Sequence, residues 1–146
     1  MVVRTKDAEV KYDPIELAGH LMTYKLVWES PGAILCNFYG TITAAELSEA
    51  TNDFYNDPRS DHTTVTIWNF TEMTGFDVRG AEAAEIAATD FAASLYLKPI
   101  KSAFVVRDPD FSNLARQYVD EMKHYGSRWT NGVFESLDEA RMWVAS

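Results

Sequence analysis

The run Ala103-Phe104-Val105-Val106 presents an apolar side chain at every position. Neighbouring side chains of a strand point to opposite faces, so a strand with no polar face must be covered on both. Helices supply that cover, which makes this segment the expected central strand of an α/β sheet and excludes a sheet with one face in water. With 146 residues the chain suits one domain, and a domain of that size buries about 68–70% of the surface its unfolded chain exposes. Hydrophobic residues at 47% and charged residues at 24% exclude a disordered, collagen-like or low-complexity chain.

Around this strand the punctuation is regular. Tyr24, Leu26 and Trp28 alternate with Lys25, Val27 and Glu29, Ala33 to Tyr39 is rich in β-formers, and Ser30-Pro31-Gly32 joins them into a hairpin. Thr43-Ala44-Ala45-Glu46 is a capping box, followed by Leu47, Ala50 and Phe54 at helical spacing and a stop near Asp57-Pro58. Val65 to Phe70 reads as a strand and Thr71 to Phe76 as a loop. Asp77 is placed to cap an alanine-rich helix with Ala84, Ala87 or Ala88, Phe91 and Leu95 on one face, ending before Pro99. Asp108-Pro109 opens a third helix carrying Phe111, Leu114, Ala115, Tyr118 and Met122, and Gly126 closes it. A short strand at Gly132 to Phe134 follows, then a helix capped by Ser136 and Glu139 with Leu137, Ala140 and Val144 on one stripe and Trp143 beside it. The order hairpin then α-β-α-β-α-β-α requires right-handed parallel crossovers. It predicts a mixed, mostly parallel sheet with an N-terminal hairpin, Tyr24 to Glu29 antiparallel to its neighbour, and four helices.

Residues 1–22 stand apart as an N-terminal extension to a domain over 23–146. Within the extension, Asp13-Pro14 followed by Ile15, Leu17, Ala18 and Leu21 predicts a short amphipathic helix packed on the domain or on a partner. Met1 to His20 mixes Arg4, Lys6, Asp7, Glu9 and Lys11 with few apolar residues and offers no apolar core for a secretory signal. No stretch reaches the roughly 18 uncharged apolar residues of a membrane span, and the single cysteine, Cys36, fits a reducing compartment. The expected location is the cytoplasm. The 13 Lys and Arg against 22 Asp and Glu give a net charge of -9, a surface that repels phosphate backbones and argues against nucleic acid.

The reactive residue types form no recognisable constellation. Cys36 lies mid-strand with Ile34 and Phe38 on its face, where a thiol behaves as a small hydrophobe without a base in sequence reach. His20, His62 and His124 lie far apart, and Asp120 with His124 is an ordinary i,i+4 surface pair. Asp57, Asp61 and His62 around Pro58 and Ser60 are turn material. No catalytic residue, metal or cofactor is expected. The alanines on several faces of the Asp77 helix, with Tyr96, Trp129, Phe76 and Trp143, are the candidate partner surface.

One segment carries a resemblance. Strand Val65 to Phe70, the loop after it and the helix start Asp77-Val78-Arg79-Gly80 resemble anti-anti-sigma factor domains, the STAS domains, in which a strand ends in Asp-Leu-Ser and a loop leads to Asp-Ser-Ser-Gly. Asn69-Phe70-Thr71 falls on the first triplet, and Asp77 and Gly80 on the ends of the second motif. The chain is more similar to the bacterial SpoIIAA-like branch, through Gly75-Phe76-Asp77, the Ala103 to Val106 strand, and Val133-Phe134 followed by Leu137-Asp138-Glu139-Ala140. The match spans about Tyr24 to Val144. It implies a single STAS-like domain acting as a non-catalytic regulatory or protein-interaction module, with a protein partner and as a homodimer.

In phospho-regulated members the residue after the aspartate is the serine that a partner kinase phosphorylates; here it is Val78, which has no hydroxyl. The resemblance therefore implies that the usual charge switch is missing. Arg79 adds positive charge beside helix-start amides, a setting that can hold an anion. Phe76, Asp77, Val78, Arg79 and Gly80 are accordingly the expected ligand- or partner-binding residues, although as plain structure Asp77 is a helix cap and Arg79 a solvated side chain. An alternative expectation is a carrier holding a small apolar or lipid-like ligand between the Asp77 helix and the sheet, and a third is a small enzyme using Asp77 and Arg79. A cavity of a few hundred Å³ favours the carrier, an exposed apolar patch the interaction module, and convergent ionisable groups in a cleft the enzyme.

Overall fold

The structure, a computed structural model, describes residues 23–146. The helix expected over Ile15 to Leu21 lies outside the described residues.

Local signals place most elements. β1 (Tyr24–Ser30) pairs antiparallel with β2 (Ala33–Thr43), setting Tyr24 opposite Phe38 and Trp28 opposite Ile34. Gly32 supplies the turn's positive φ of +88°, a conformation that other residues adopt at a cost. Thr43 caps α1 (Ala44–Asn56) by accepting the Glu46 N–H, while its own hydroxyl donates to the Glu46 carboxylate at 3.1 Å. Asp57 closes α1 and starts a 3-10 turn over Pro58–His62 by accepting the Arg59 N–H at 2.9 Å. After β3 (Val65–Asp77), α2 (Gly80–Ser94) and β4 (Lys101–Val105), Asp108 accepts the N–H groups of Asp110 and Phe111 to start α3 (Pro109–Tyr125). Gly126 ends α3 in the left-handed conformation, φ 75° and ψ 33°. Ser136 then caps α4 (Leu137–Val144), which follows β5 (Thr130–Phe134).

The sheet runs in sequence order, β1-β2-β3-β4-β5, with β1 antiparallel to β2 and every later pairing parallel. Successive right-handed crossovers that all step in one direction put their helices on one face. α1, α2 and α3 accordingly cover one side, where Phe54, Ala87, Phe111, Tyr118 and Met122 pack against Tyr24, Leu26, Cys36 and Phe38. Phe38 stacks on Phe70 with centroids 4.4 Å apart. Removing a ring buried this fully costs about 3–5 kcal/mol. The other face, Leu35, Ile67, Ala103 and Val105, is covered by α4 through Ala140, Leu137, Trp143 and Val144. Arg141 of α4 clamps Glu29 of β1 with two bonds of 2.9 and 2.8 Å.

Three expectations need correction. The doubly apolar strand is covered on both faces as predicted, but β3 holds the middle of the sheet and β4 lies beside it. Thr71 to Phe76 is strand, not loop: β2 pairs with it through Tyr39↔Glu72, Gly40↔Met73, Thr41↔Gly75 and Ile42↔Phe76, beyond Asn69, where β4's pairing with β3 ends. α2 also buries a face shifted from the expected one, Ala83, Ala87, Asp90 and Ser94: Ala87 lies on it and Phe91 packs beside it as expected, but Ala88 is exposed and Leu95 is 61% exposed.

Candidate functional site

At the start of α2 the predicted residues separate into distinct roles. Asp77 ends β3 opposite Thr43 and is exposed, so it is not the cap. The cap is Arg79, whose backbone N–H donates to Glu82 Oε1 at 2.9 Å. That bond, reinforced by the guanidinium 3.4 Å away, holds the Glu82 carboxyl below the usual carboxylate range. The Glu82 carboxylate thus already puts a negative charge on the Arg79 N–H at the helix start. Val78 is buried among core side chains. Phe76 packs edge-on against Phe111 with centroids 5.0 Å apart, and the Gly80 carbonyl accepts from Gln117 at 2.9 Å.

Below Val78 the helices do not close fully on the sheet. A half-open cleft of about 80 Å³ lies between Phe38, Phe70 and Phe104 of the strands and Ile86, Leu114 and Tyr118 of the helices. Its wall is apolar except at Thr51, Tyr118 and Asp90. Asp90 also lines a neighbouring polar groove of about 370 Å³ between α1 and α2, together with Ser48, Asn52, Glu82, Glu85 and Thr89.

Asp90 is 8% exposed. Tyr55 of α1 donates to its Oδ1 at 2.6 Å and Tyr118 of α3 to its Oδ2 at 2.7 Å. Burial pushes the Asp90 carboxyl up to about 6, with both hydroxyls acting to lower it. Burial and the facing carboxylate push both phenols above their ordinary value. A carboxylate, two phenols and an apolar cleft thus meet at one point. Sequence periodicity missed this site because it treated α2 as a stripe of alanines; the available signal was one aspartate seven residues after Ala83, on that same face.

The remaining candidates are dispersed. Cys36 is fully buried, and burial raises its thiol well above the ordinary value. His62, Asp120 and His124 are exposed, and among the described residues no group of three or more His, Cys, Asp or Glu could hold a metal ion. Asp57 is buried and holds Arg59 at 2.7 Å, a structural pair of the turn. Of the aromatic candidates, Trp129 is buried with its indole N–H on the Lys98 carbonyl. Phe76 and Trp143 are half-buried. Tyr96 is 88% exposed beside Leu95. One helical turn back, Phe91 stacks on Tyr125 at 5.2 Å, and Tyr125 is 40% exposed.

No protein-family model and no curated protein matches the chain. Among solved structures it is similar to the anti-sigma factor antagonist SpoIIAA in its unphosphorylated form, with a TM-score of 0.51 and 11% identity over 82% of this chain and 94% of that one. The phosphorylated form of the Bacillus cell fate determinant SpoIIAA gives 0.50 and 11%, covering 83% and 98%. An uncharacterized DUF3478 protein with a SpoIIAA-like fold from Shewanella loihica gives 0.49 and 12%, covering 83% and 91%. The mixed sheet and its helices therefore form a single α/β domain. The fold is SpoIIAA-like. No helix among the described residues is long and apolar enough to cross a membrane.

Proposed function

We propose that the chain is a non-catalytic regulatory module that works by protein contact in the cytoplasm, with a second copy of itself as one partner. The observation that carries this reading is the exposed apolar cluster at the end of α2, where Leu95 is 61% and Tyr96 88% exposed and the Phe91–Tyr125 stack adjoins them. Monomeric soluble proteins seldom leave aromatic and aliphatic side chains together in water, and such clusters mark interfaces. The fold shared with an anti-sigma factor antagonist supports the same class. The helix-start residues Phe76, Asp77, Arg79 and Gly80 form a second contact region at the opposite end of α2, with Val78 acting from beneath as packing.

Sedimentation at micromolar concentration tests the reading. A stable dimer buries on the order of 1,200–2,000 Å² in total, and the double substitution Leu95→Ser with Tyr96→Ser should return it to monomer without loss of folding. A wild-type monomer rejects self-association, and a dimer indifferent to the double substitution rejects this surface.

The carrier reading keeps one observation in its favour. An apolar cleft lies between α2 and the sheet, where the carrier needs it, although its 80 Å³ is well short of a lipid-sized cavity.

A further inference from the structure

We propose that this cleft binds a small amphipathic amine, the apolar body lying against Phe38, Phe70, Phe104 and Phe111 and the ammonium on the Asp90 carboxylate. The inference rests on the carrier reading and adds the chemistry of the ligand.

The first argument is charge. Asp90 is 8% exposed, yet among the described residues no Lys or Arg pairs with it; its partners are the Tyr55 and Tyr118 hydroxyls. A carboxylate has about four lone-pair sites, and two hydroxyls leave half of them open. Buried charges are ordinarily paired, because an unpaired one forfeits its hydration without return. A cation delivered by a ligand completes this site.

The second argument is position. Asp90 lines the apolar cleft on one side and the polar groove between α1 and α2 on the other. A molecule with an apolar end and a charged head spans that junction. Glu82, paired with Arg79 at the groove's end, and Glu85 line the groove with no Lys or Arg among its walls, so with Asp90 its field draws cations and repels carboxylates. Aromatic faces on the cleft side add attraction for an ammonium. The volume of about 80 Å³ admits a short alkyl chain and excludes a fatty acid or sterol.

The groups that face Asp90 are Tyr55 from α1, Tyr118 from α3, and Glu82 and Glu85 along its own helix. The strands contribute Phe38, Trp68, Phe70 and Phe104, none of which titrates. Loss of binding between pH 7.5 and pH 5 therefore reports chiefly on Asp90.

Titration of the full chain with n-butylammonium, against 1-butanol and n-butyrate as isosteres, tests the proposal by amide chemical-shift changes. The expected result is perturbation around the cleft residues of α2 and α3, with the amine favoured over the alcohol by about tenfold or more. Asp90→Asn should abolish that preference. If Asp90→Asn does not fold, the wild type decides: affinity for n-butylammonium must fall from pH 7.5 to pH 5. Equal affinity for amine and alcohol, or amine binding that ignores pH, overturns the proposal and leaves the apolar carrier standing. No shift with any of these probes overturns both.

Discussion

Tyr118 donates its hydroxyl hydrogen to Asp90 Oδ2 at 2.7 Å, across the contact between α3 and α2 and out of water. The bond ties the two helices at a point where, Thr51 aside, the rest of the wall is apolar. Tyr118→Phe keeps the ring and removes the donor, leaving one carboxylate oxygen less satisfied. A loss of about 1–3 kcal/mol is expected, larger at pH 8 than at pH 5 because the charged form needs the donor more. Urea unfolding at the two pH values measures it.

Asp90 itself makes stability fall as pH rises. Its folded carboxyl titrates near 6 against an ordinary 3.8, so between those values the folded state binds the proton that the unfolded state has released. Its favourable contribution is complete below about pH 4 and lost as pH rises through about 6. A displacement of roughly two pH units corresponds to about 3 kcal/mol. The wild type should lose up to that amount relative to Asp90→Asn between pH 4 and pH 7.5, as read from urea midpoints.

Ala115 lines the cleft from α3. Ala115→Leu should fill space the fold leaves empty and change stability by less than about 1.5 kcal/mol in either direction. In the n-butylammonium titration it should eliminate binding.

Gly126 has φ 75°, and nothing stands within 4 Å of a Cβ built there. Gly126→Ala therefore meets backbone strain alone, and a loss of about 1–2 kcal/mol by thermal or urea unfolding is expected.

Incubation with a serine/threonine protein kinase and ATP should leave residues 77–80 without phosphate, since Val78 is buried and lacks a hydroxyl. Thr74, exposed on the extended β3, is more open to a kinase than Thr71, which is half-buried, or Ser60, which is buried. Peptide mapping by mass spectrometry distinguishes the two cases.

The elements that were legible in the sequence are those whose signals are local. Asp108-Pro109 and Gly126 bound α3, and Thr43 and Ser136 start α1 and α4, because cap chemistry acts within one turn. The upper half of β3 was illegible because its ladder is supplied by β2, more than thirty residues earlier, and Gly75 with the polar Thr71, Glu72 and Thr74 conceals it. Strand order was equally hidden. A doubly apolar run reports cover on both faces and nothing about neighbours, while β3 carries buried Thr66 and Asn69 whose polarity is met by Ser102 at 2.8 Å and Asn37 at 2.9 Å. Polar groups paired across strands make a central strand read as peripheral. In α2 the alanines erased the periodicity, so both the exposure of Leu95 and the burial of Asp90 had to come from the packing.

The sequential strand order has a kinetic consequence. Each strand hydrogen-bonds to the one before it in the chain, from the hairpin onward. No strand waits for a distant one to be inserted between it and its neighbour, so loop-closure entropy is met in short instalments and the sheet can grow by addition at one edge. During synthesis the hairpin can form first, and each later strand meets a template already in place as it emerges. Until β5 arrives, the growing edge is always the newest strand, and the interval between successive additions is when the nascent chain is most open to pairing with another copy.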